Sequence, residues 1–196
     1  MNETRIPDHP IDKLFIDRWS PRAFDASPMP DADLLTILEA ARWAPSAFNI
    51  QPWRFLYADR NADNWQTYLD LLVPFNQSWA KHASKLIFVL SDSVISSDGD
   101  SAEKPSNTNS FDAGAAWAQL ALQATSLGYQ AHAMAGINYD QIHQALEVPE
   151  RYRVEIAVAI GKRADPTVLP QDLQSRETPS QRLPIREIAF AGSFPH

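Results

Sequence analysis

Ala44-Pro45-Ser46-Ala47-Phe48-Asn49-Ile50-Gln51-Pro52-Trp53 is the stretch on which the reading of this chain turns. A helical pattern runs into it and an extended pattern leaves it. Pro45 disfavours helical geometry at Ala44, and Pro52 does the same at Gln51, so the helix stops and the segment between is stiff. Ser46, Asn49 and Gln51 place short polar groups there, flanked by the bulky Trp43, Phe48 and Trp53. Two readings fit: an ordinary helix-to-strand turn, or a ligand loop held between two packed elements.

Upstream, Met29-Pro30-Asp31 opens a helix through proline and acidic first-turn preference. Leu34, Ile37, Leu38 and Ala41 form its apolar stripe. Residues 10–17 read as a short helix with Ile11, Leu14 and Phe15 on one face. Between the two lies Arg18-Trp19-Ser20-Pro21-Arg22, where Pro21 breaks the helical pattern. Two arginines bracket a serine here. They are either solvated surface groups or an anion clamp, since guanidinium forks and a hydroxyl suit a phosphate or a flavin carbonyl.

Downstream, Trp53–Ala58 reads as a strand and Asn64–Val73 as a helix, with Trp65, Tyr68, Leu69 and Leu72 inward. Residues 75–79 fit a loop or a short helix. The apolar run Lys85–Leu90 predicts a buried strand. Residues 91–110 are Ser- and Asp-rich with almost no core material, and are expected to be a mobile excursion, either a site cover or plain disorder. Asp112–Leu127 predicts the longest helix, apolar nearly all round and therefore buried on all sides. Its small residues suit a close helix contact in a subunit interface, and Gly128 suits its C-cap. Gln130–Met134 and Glu155–Gly161 predict two more strands, with a helix over 139–147 between them. From residue 163 to 196 the chain is a polar, proline-rich arm ending in the strand-like Ile188-Ala189-Phe190. The pattern predicts one α+β domain over 1–196, a small central sheet with helices on both faces.

With 196 residues the chain can bury a sizeable core. It has no cysteine, which excludes disulfides and thiolate chemistry. A net charge of −7 argues against a general nucleic-acid binder while leaving room for a local basic pocket. No apolar stretch approaches the roughly 20 residues that span a bilayer, and the polar start lacks a signal-peptide run, so a cytoplasmic protein without a membrane partner is expected. The scattered histidines predict no metal site. There is no dinucleotide fingerprint, phosphate loop or Gly-x-Ser-x-Gly elbow. If the chain is an enzyme, its hard chemistry belongs to a bound cofactor.

Three separated segments, Arg18-Trp19-Ser20-Pro21-Arg22, the Pro45–Trp53 stretch and Gln181-Arg182-Leu183-Pro184, resemble the signature segments of the FMN-dependent nitroreductase family. Ala131–Ile137 and the strand Ile156–Gly161 resemble that family's third flavin-contact region and the strand after it. The resemblance implies a nitroreductase-like α+β fold with a mainly antiparallel sheet. It also implies an intertwined homodimer, with the C-terminal arm reaching the partner and two flavin sites at the interface. By resemblance, Arg18, Trp19, Ser20 and Arg182 lie at the FMN phosphate and ribityl region, and Arg22 lies near the N1/C2 carbonyl edge. Pro45, Ser46, Ala47, Asn49 and Gln51 come from the other subunit and line the ring. Asn76 bonds the pyrimidine edge, and Met134, Ala135 and Gly136 face N5. Where many relatives carry basic residues, this chain has Trp79 and Ser180.

The implied activity is ping-pong electron transfer from NADH or NADPH through FMN to a nitroaromatic, quinone or activated alkene. No side chain is then needed as acid or base. Other flavin chemistry on the same scaffold (reductive dehalogenation or flavin breakdown) and a non-enzymatic flavin-binding protein are the alternatives.

Overall fold

In a computed structural model, residues 5–95 and 103–195 are described. Four strands form the central sheet: β1 (Trp53–Asp59), β2 (Lys85–Asp92), β5 (Gln130–Met134) and β6 (Tyr152–Gly161). Their order is β1-β2-β6-β5, and every neighbouring pair is antiparallel. Two short strands, β3 (Val94–Ile95) and β4 (Lys104–Pro105), pair in a separate ribbon.

The sheet is apolar on both faces, which is why Leu86–Leu90 of β2 reads as an unbroken apolar run; all eight residues of the strand are buried, the polar Lys85, Ser91 and Asp92 included. Leu86, Phe88 and Leu90 point into one core, and Ile87 and Val89 into the other. That alternation is the period-2 geometry of a strand. The first core takes in Tyr68 and Leu69 of helix α3 (Trp65–Asp70) and Trp79 and Ala80 of α4 (Pro74–Ala80). The second is covered by α2 (Asp31–Arg42) and α5 (Asn109–Ser126), which pack on each other through Leu34, Ile37, Ala41, Ala116, Leu120 and Ala124. A register shift between Val89 and Leu90 leaves Glu155 as the extra residue of a β-bulge in β6.

The antiparallel sheet between helical layers agrees with the sequence reading, and local details differ. The expected helix over 64–73 is shorter, α3 at Trp65–Asp70, and of the two readings of 75–79 the short helix, α4, is the one found. Pro74 holds Val73 in extended geometry at ψ 152°, and α4 restarts with Pro74 at its first position. Helix α1 covers only Lys13–Asp17, and Ile11 and Phe15 are exposed instead of forming an inward face. Helix α5 starts at Asn109 and ends at Ser126, with Gly128 following at φ +79°. Within the single chain it is not buried on all sides, since Gly114 and Ala118 are exposed. Helix α6 is Tyr139–Ala145, shorter than 139–147. Ile188–Phe190 forms no strand: an extended segment needs a partner edge, and these residues lie exposed beyond a single helical turn at Ile185–Glu187. Of the 91–110 stretch, β2 takes 91–92, the β3–β4 ribbon and α5 take most of the rest, and 96–102 lie outside the described residues. Among the described residues no helix is long and apolar enough to cross a membrane.

Candidate functional site

The extended segment after α1 crosses one end of the sheet and meets the C-terminal arm. Together with β5 they enclose a cavity of about 300 Å³ lined by Arg18, Trp19, Ser20, Arg22, His132, Arg176, Thr178, Ser180 and Arg182. Four guanidinium groups therefore share one cavity in an acidic chain. They crowd one another. Burial and then the charge of Arg182 and Arg5 hold the pKa of Arg18 below its usual value. Burial and then Arg176 do the same to Arg22. Arg18 Nη1 donates to Ser20 Oγ at 3.3 Å, which turns the hydroxyl's lone pairs toward a cation and leaves its hydrogen free for an acceptor. Arg22 Nε is buried and has no partner. A cavity lined by mutually repelling arginines is chemically an anion site.

Besides the Ala164 N–H, which donates to the Ala23 carbonyl at 2.9 Å, Glu177 and His132 hold this segment in place. Glu177, 7% exposed, accepts the backbone N–H of Arg22 at 2.7 Å and of Ala23 at 2.8 Å through Oε1. The Nδ1–H of His132 donates to the Pro21 carbonyl at 2.9 Å; a carbonyl can only accept, so this fixes the tautomer. Burial first, and then the charge of Arg22 and Arg18 against the opposing pull of the carbonyls, pushes the imidazole pKa down to about 4. His132 is thus neutral at neutral pH. Its ring packs on Trp79, which is fully buried and packs in turn near Phe24.

Nearby, the turn after β5 is tied to α4. Asn76, 6% exposed, donates from Nδ2 to the Gly136 carbonyl at 2.9 Å. A Cβ on Gly136 would sit 2.6 Å from Asn76 Nδ2 and 2.8 Å from Val73 Cγ2. The glycine is therefore required by the Asn76 side chain. Met134 is buried beneath this turn and Ala135 is exposed on it.

The Pro45–Gln51 loop lies elsewhere and lines none of the arginine cavity. It is fastened to the start of α5: Ala47 N donates to Asp112 Oδ2 at 3.2 Å. Ser46 Oγ accepts the N–H of Gln51 at 3.0 Å. Phe48, Asn49 and Gln51 all have positive φ, between 52° and 56°, unusual for residues with a side chain. Phe48 is 97% exposed, and Trp43 at the end of α2 is 70% exposed. A strained loop presenting a bare aromatic ring is a rigid surface feature, not a relaxed turn.

The structure brings together Arg18, Trp19, Ser20, Arg22 and Arg182, and separately joins Asn76 to Gly136. It does not bring Pro45, Ser46, Ala47, Asn49 or Gln51 of the same chain into the arginine cavity. Arg176 and Glu177 have no role in the sequence reading, and His132 enters it only within the Ala131–Ile137 segment, with no role of its own. His132 could have been found, because it alternates on β5 with Ala131, which faces the α2–α5 layer. Nothing local distinguishes Arg176 or Glu177 from other charges of the arm. Among the described residues no group of three or more His, Asp or Glu is placed to hold a metal ion.

The model of the Nitroreductase family matches residues 16–162. A solved structure described as an oxidoreductase containing FMN has a TM-score of 0.94 and 53% identity, covering 100% of this chain and 98% of its own. A Bacillus subtilis protein, YodC, named as a candidate NAD(P)H nitroreductase, is 24% identical over 202 residues, covering 88% of this chain and 94% of its own. The CLA biosynthesis enone reductase of Lactiplantibacillus plantarum is 26% identical over 184 residues, covering 77% and 84%.

Proposed function

The chain belongs to the nitroreductase family, and from that premise we propose that it is an FMN-dependent oxidoreductase. It would take electrons from NADH or NADPH and pass them to a nitroaromatic, a quinone or an activated alkene. The observation that carries this reading is the arginine cavity. In a chain of net charge −7, four arginines and a serine hydroxyl converge on about 300 Å³. A phosphate monoester satisfies that arrangement, and its dianion offsets the repulsion among the guanidinium groups.

Bound there, FMN would supply the hydride chemistry, accepting at N5 from NAD(P)H and donating to the acceptor in a ping-pong sequence. The chain's own part is binding and electrostatics. Arg18, Ser20 and Arg182, beside Trp19, hold the phosphate and ribityl end. Arg22 places a positive charge where negative charge develops on reduction. Asn76, Met134, Ala135 and Gly136 form the wall toward the reacting edge of the ring. His132, held neutral, adds no charge to this wall and cannot serve as an acid at neutral pH, so the proton taken up by the acceptor comes from solvent.

Pro45, Ser46, Ala47, Asn49 and Gln51 serve the site of a second copy in a homodimer. Support comes from their absence from the arginine cavity of their own chain and from the bare apolar surface around them. Trp43, Phe48 and Phe111 are exposed there, and an open groove beside α2 and α5 is lined by Leu14, Ala40, Trp43 and Leu122. The C-terminal arm, exposed at Leu183, Ile185 and Ile188, would lie on the same partner. The place of work in this reading is the cytoplasm, where NADH and NADPH are available.

The deciding experiment is the visible spectrum of the purified protein before and after anaerobic NADH or NADPH. A flavin band that bleaches is the expected result. A band that persists with both donors identifies a flavin-binding protein without this activity. No band after incubation with FMN overturns the reading of the cavity.

A further inference from the structure

We propose that Glu177 is a positioning residue that sets the net positive charge Arg22 presents to the anion cavity; this rests on the FMN reading above. Beyond Leu173 it is the only buried residue among those described, so its placement is not a by-product of core packing. One carboxylate oxygen accepts two successive backbone N–H groups, those of Arg22 and Ala23, from 155 and 154 positions away. That clasp sets the backbone from which the Arg22 side chain departs.

The second oxygen has a different use. Oε2 is buried without a hydrogen-bond partner, and so is Arg22 Nε. The two groups are not bonded to each other; they act on one another through charge. Arg22 then feels two opposing charges, the repulsion of the Arg176 guanidinium and the attraction of the Glu177 carboxylate. A backbone clasp alone needs only an acceptor, and a neutral amide oxygen would serve. A full negative charge left with a bare oxygen does more. It weakens the field at Arg22, loosens the grip of the cavity on anions, and lowers the preference of the site for a reduced, negatively charged flavin.

Glu177→Gln separates the two roles, because it keeps the acceptor and removes the charge. Two quantities are read on the full chain: the Kd of the flavin-free protein for inorganic phosphate, and the midpoint potential of bound FMN. The E177Q chain is expected to bind phosphate severalfold more tightly. Its potential should rise by about 30 mV, which corresponds to a tenfold gain for a two-electron couple. In an R22Q background the same substitution should have a much smaller effect on both readings, since Glu177 acts through Arg22.

A folded E177Q chain with the wild-type phosphate Kd and potential makes Glu177 a clasp only and overturns the proposal. An equal effect with and without Arg22 overturns the route through Arg22. An E177Q chain that does not fold shows that the charge is spent on structure, which overturns it as well. If the wild type binds neither phosphate nor FMN, the reading of the cavity fails first. If it binds FMN and only the potential of E177Q stays unmoved, that reading survives and this one falls.

Discussion

Trp79 and His132 pack ring on ring, with centroids 4.6 Å apart and planes inclined by 40°. The indole is 1% exposed, yet its Nε1 has no hydrogen-bond partner. Two terms therefore oppose each other on substitution. Trp79→Ala opens a large cavity under the site and should cost about 3–5 kcal/mol. Trp79→Phe also loses volume, but it removes an unsatisfied buried donor worth roughly 1–3 kcal/mol. We expect Trp79→Phe to stay within about 1 kcal/mol of the parent in urea unfolding, by cancellation of those two terms. Equal losses for both variants would mean that the indole N–H has a partner after all.

The neutral state of His132 makes stability depend on pH in a defined window. The folded pKa is about 4 against an ordinary value of 6.5, so between those values the unfolded chain binds the extra proton. Stability from this group is fully present above the ordinary value and is lost as pH falls through the window. Denaturant midpoints measured from pH 7 to pH 4 should decline, and His132→Gln should flatten part of that decline. Phosphate in the buffer should also reduce the slope, because an anion in the cavity offsets the arginines that disfavour the imidazolium. A His132→Gln profile parallel to the parent's would refute the assignment.

A site shared between two copies can be tested by mixing. An Arg22→Ala chain lacks the arginine half, and a Ser46→Ala/Asn49→Ala chain lacks the loop half. In a mixed dimer one site carries both defects and the other carries neither. Random assortment then restores about a quarter of the sites, since half of all dimers are mixed and each has one intact site. NAD(P)H-dependent turnover of mixed and refolded inactive variants should recover to about that level. Recovery no greater than the sum of the two parents would place all site residues in one chain.

Lys85 is wholly buried at the start of β2, and its ammonium is held by Asp59 and by Asp31, the latter at 2.8 Å. The partners differ in exposure, 31% for the Asp59 side chain and 83% for Asp31. Water screens the exposed pair, so Asp31→Ala should cost under about 1 kcal/mol. Asp59→Ala leaves the buried cation with only the screened partner and should cost about 2–4 kcal/mol, discounted from the full buried-pair figure. Chemical denaturation of the two variants gives the ranking directly. A reversed order would show that Asp31, at the start of α2, is the main counter-ion.

Much of the fold was legible in the chain because its signals are local. The apolar run at Lys85–Leu90 could be little other than a strand buried on both faces, and the Pro45–Trp53 stretch announced its own rigidity. Even there the reading was partial. Phe48 has positive φ in a loop that Ala47 ties to Asp112, sixty-five positions away. The arginine segment suggested an anion clamp, but nothing near it in sequence revealed that Arg176 joins it or that Glu177 fastens it. Such contacts are made across more than 150 residues and leave no periodicity to detect. Ile188-Ala189-Phe190 has strand-like composition, yet within the single chain it pairs with no strand among the described residues. The small residues of α5 suit a close helix contact, but composition does not say which surface makes it.

The buried content of the arm ends almost entirely at Leu173, whereas the cavity takes Arg176 and Arg182 from beyond that point. Durability and competence therefore reside in different parts of the polypeptide. A proteolytic nick at the exposed Ser175 would leave the sheet and both helical layers intact. It would also release two of the four cations together with the carboxylate that steadies a third. Such a product would elute and melt much like the parent while being unable to retain a phosphate, so a preparation judged by its melting curve could be well folded and inert.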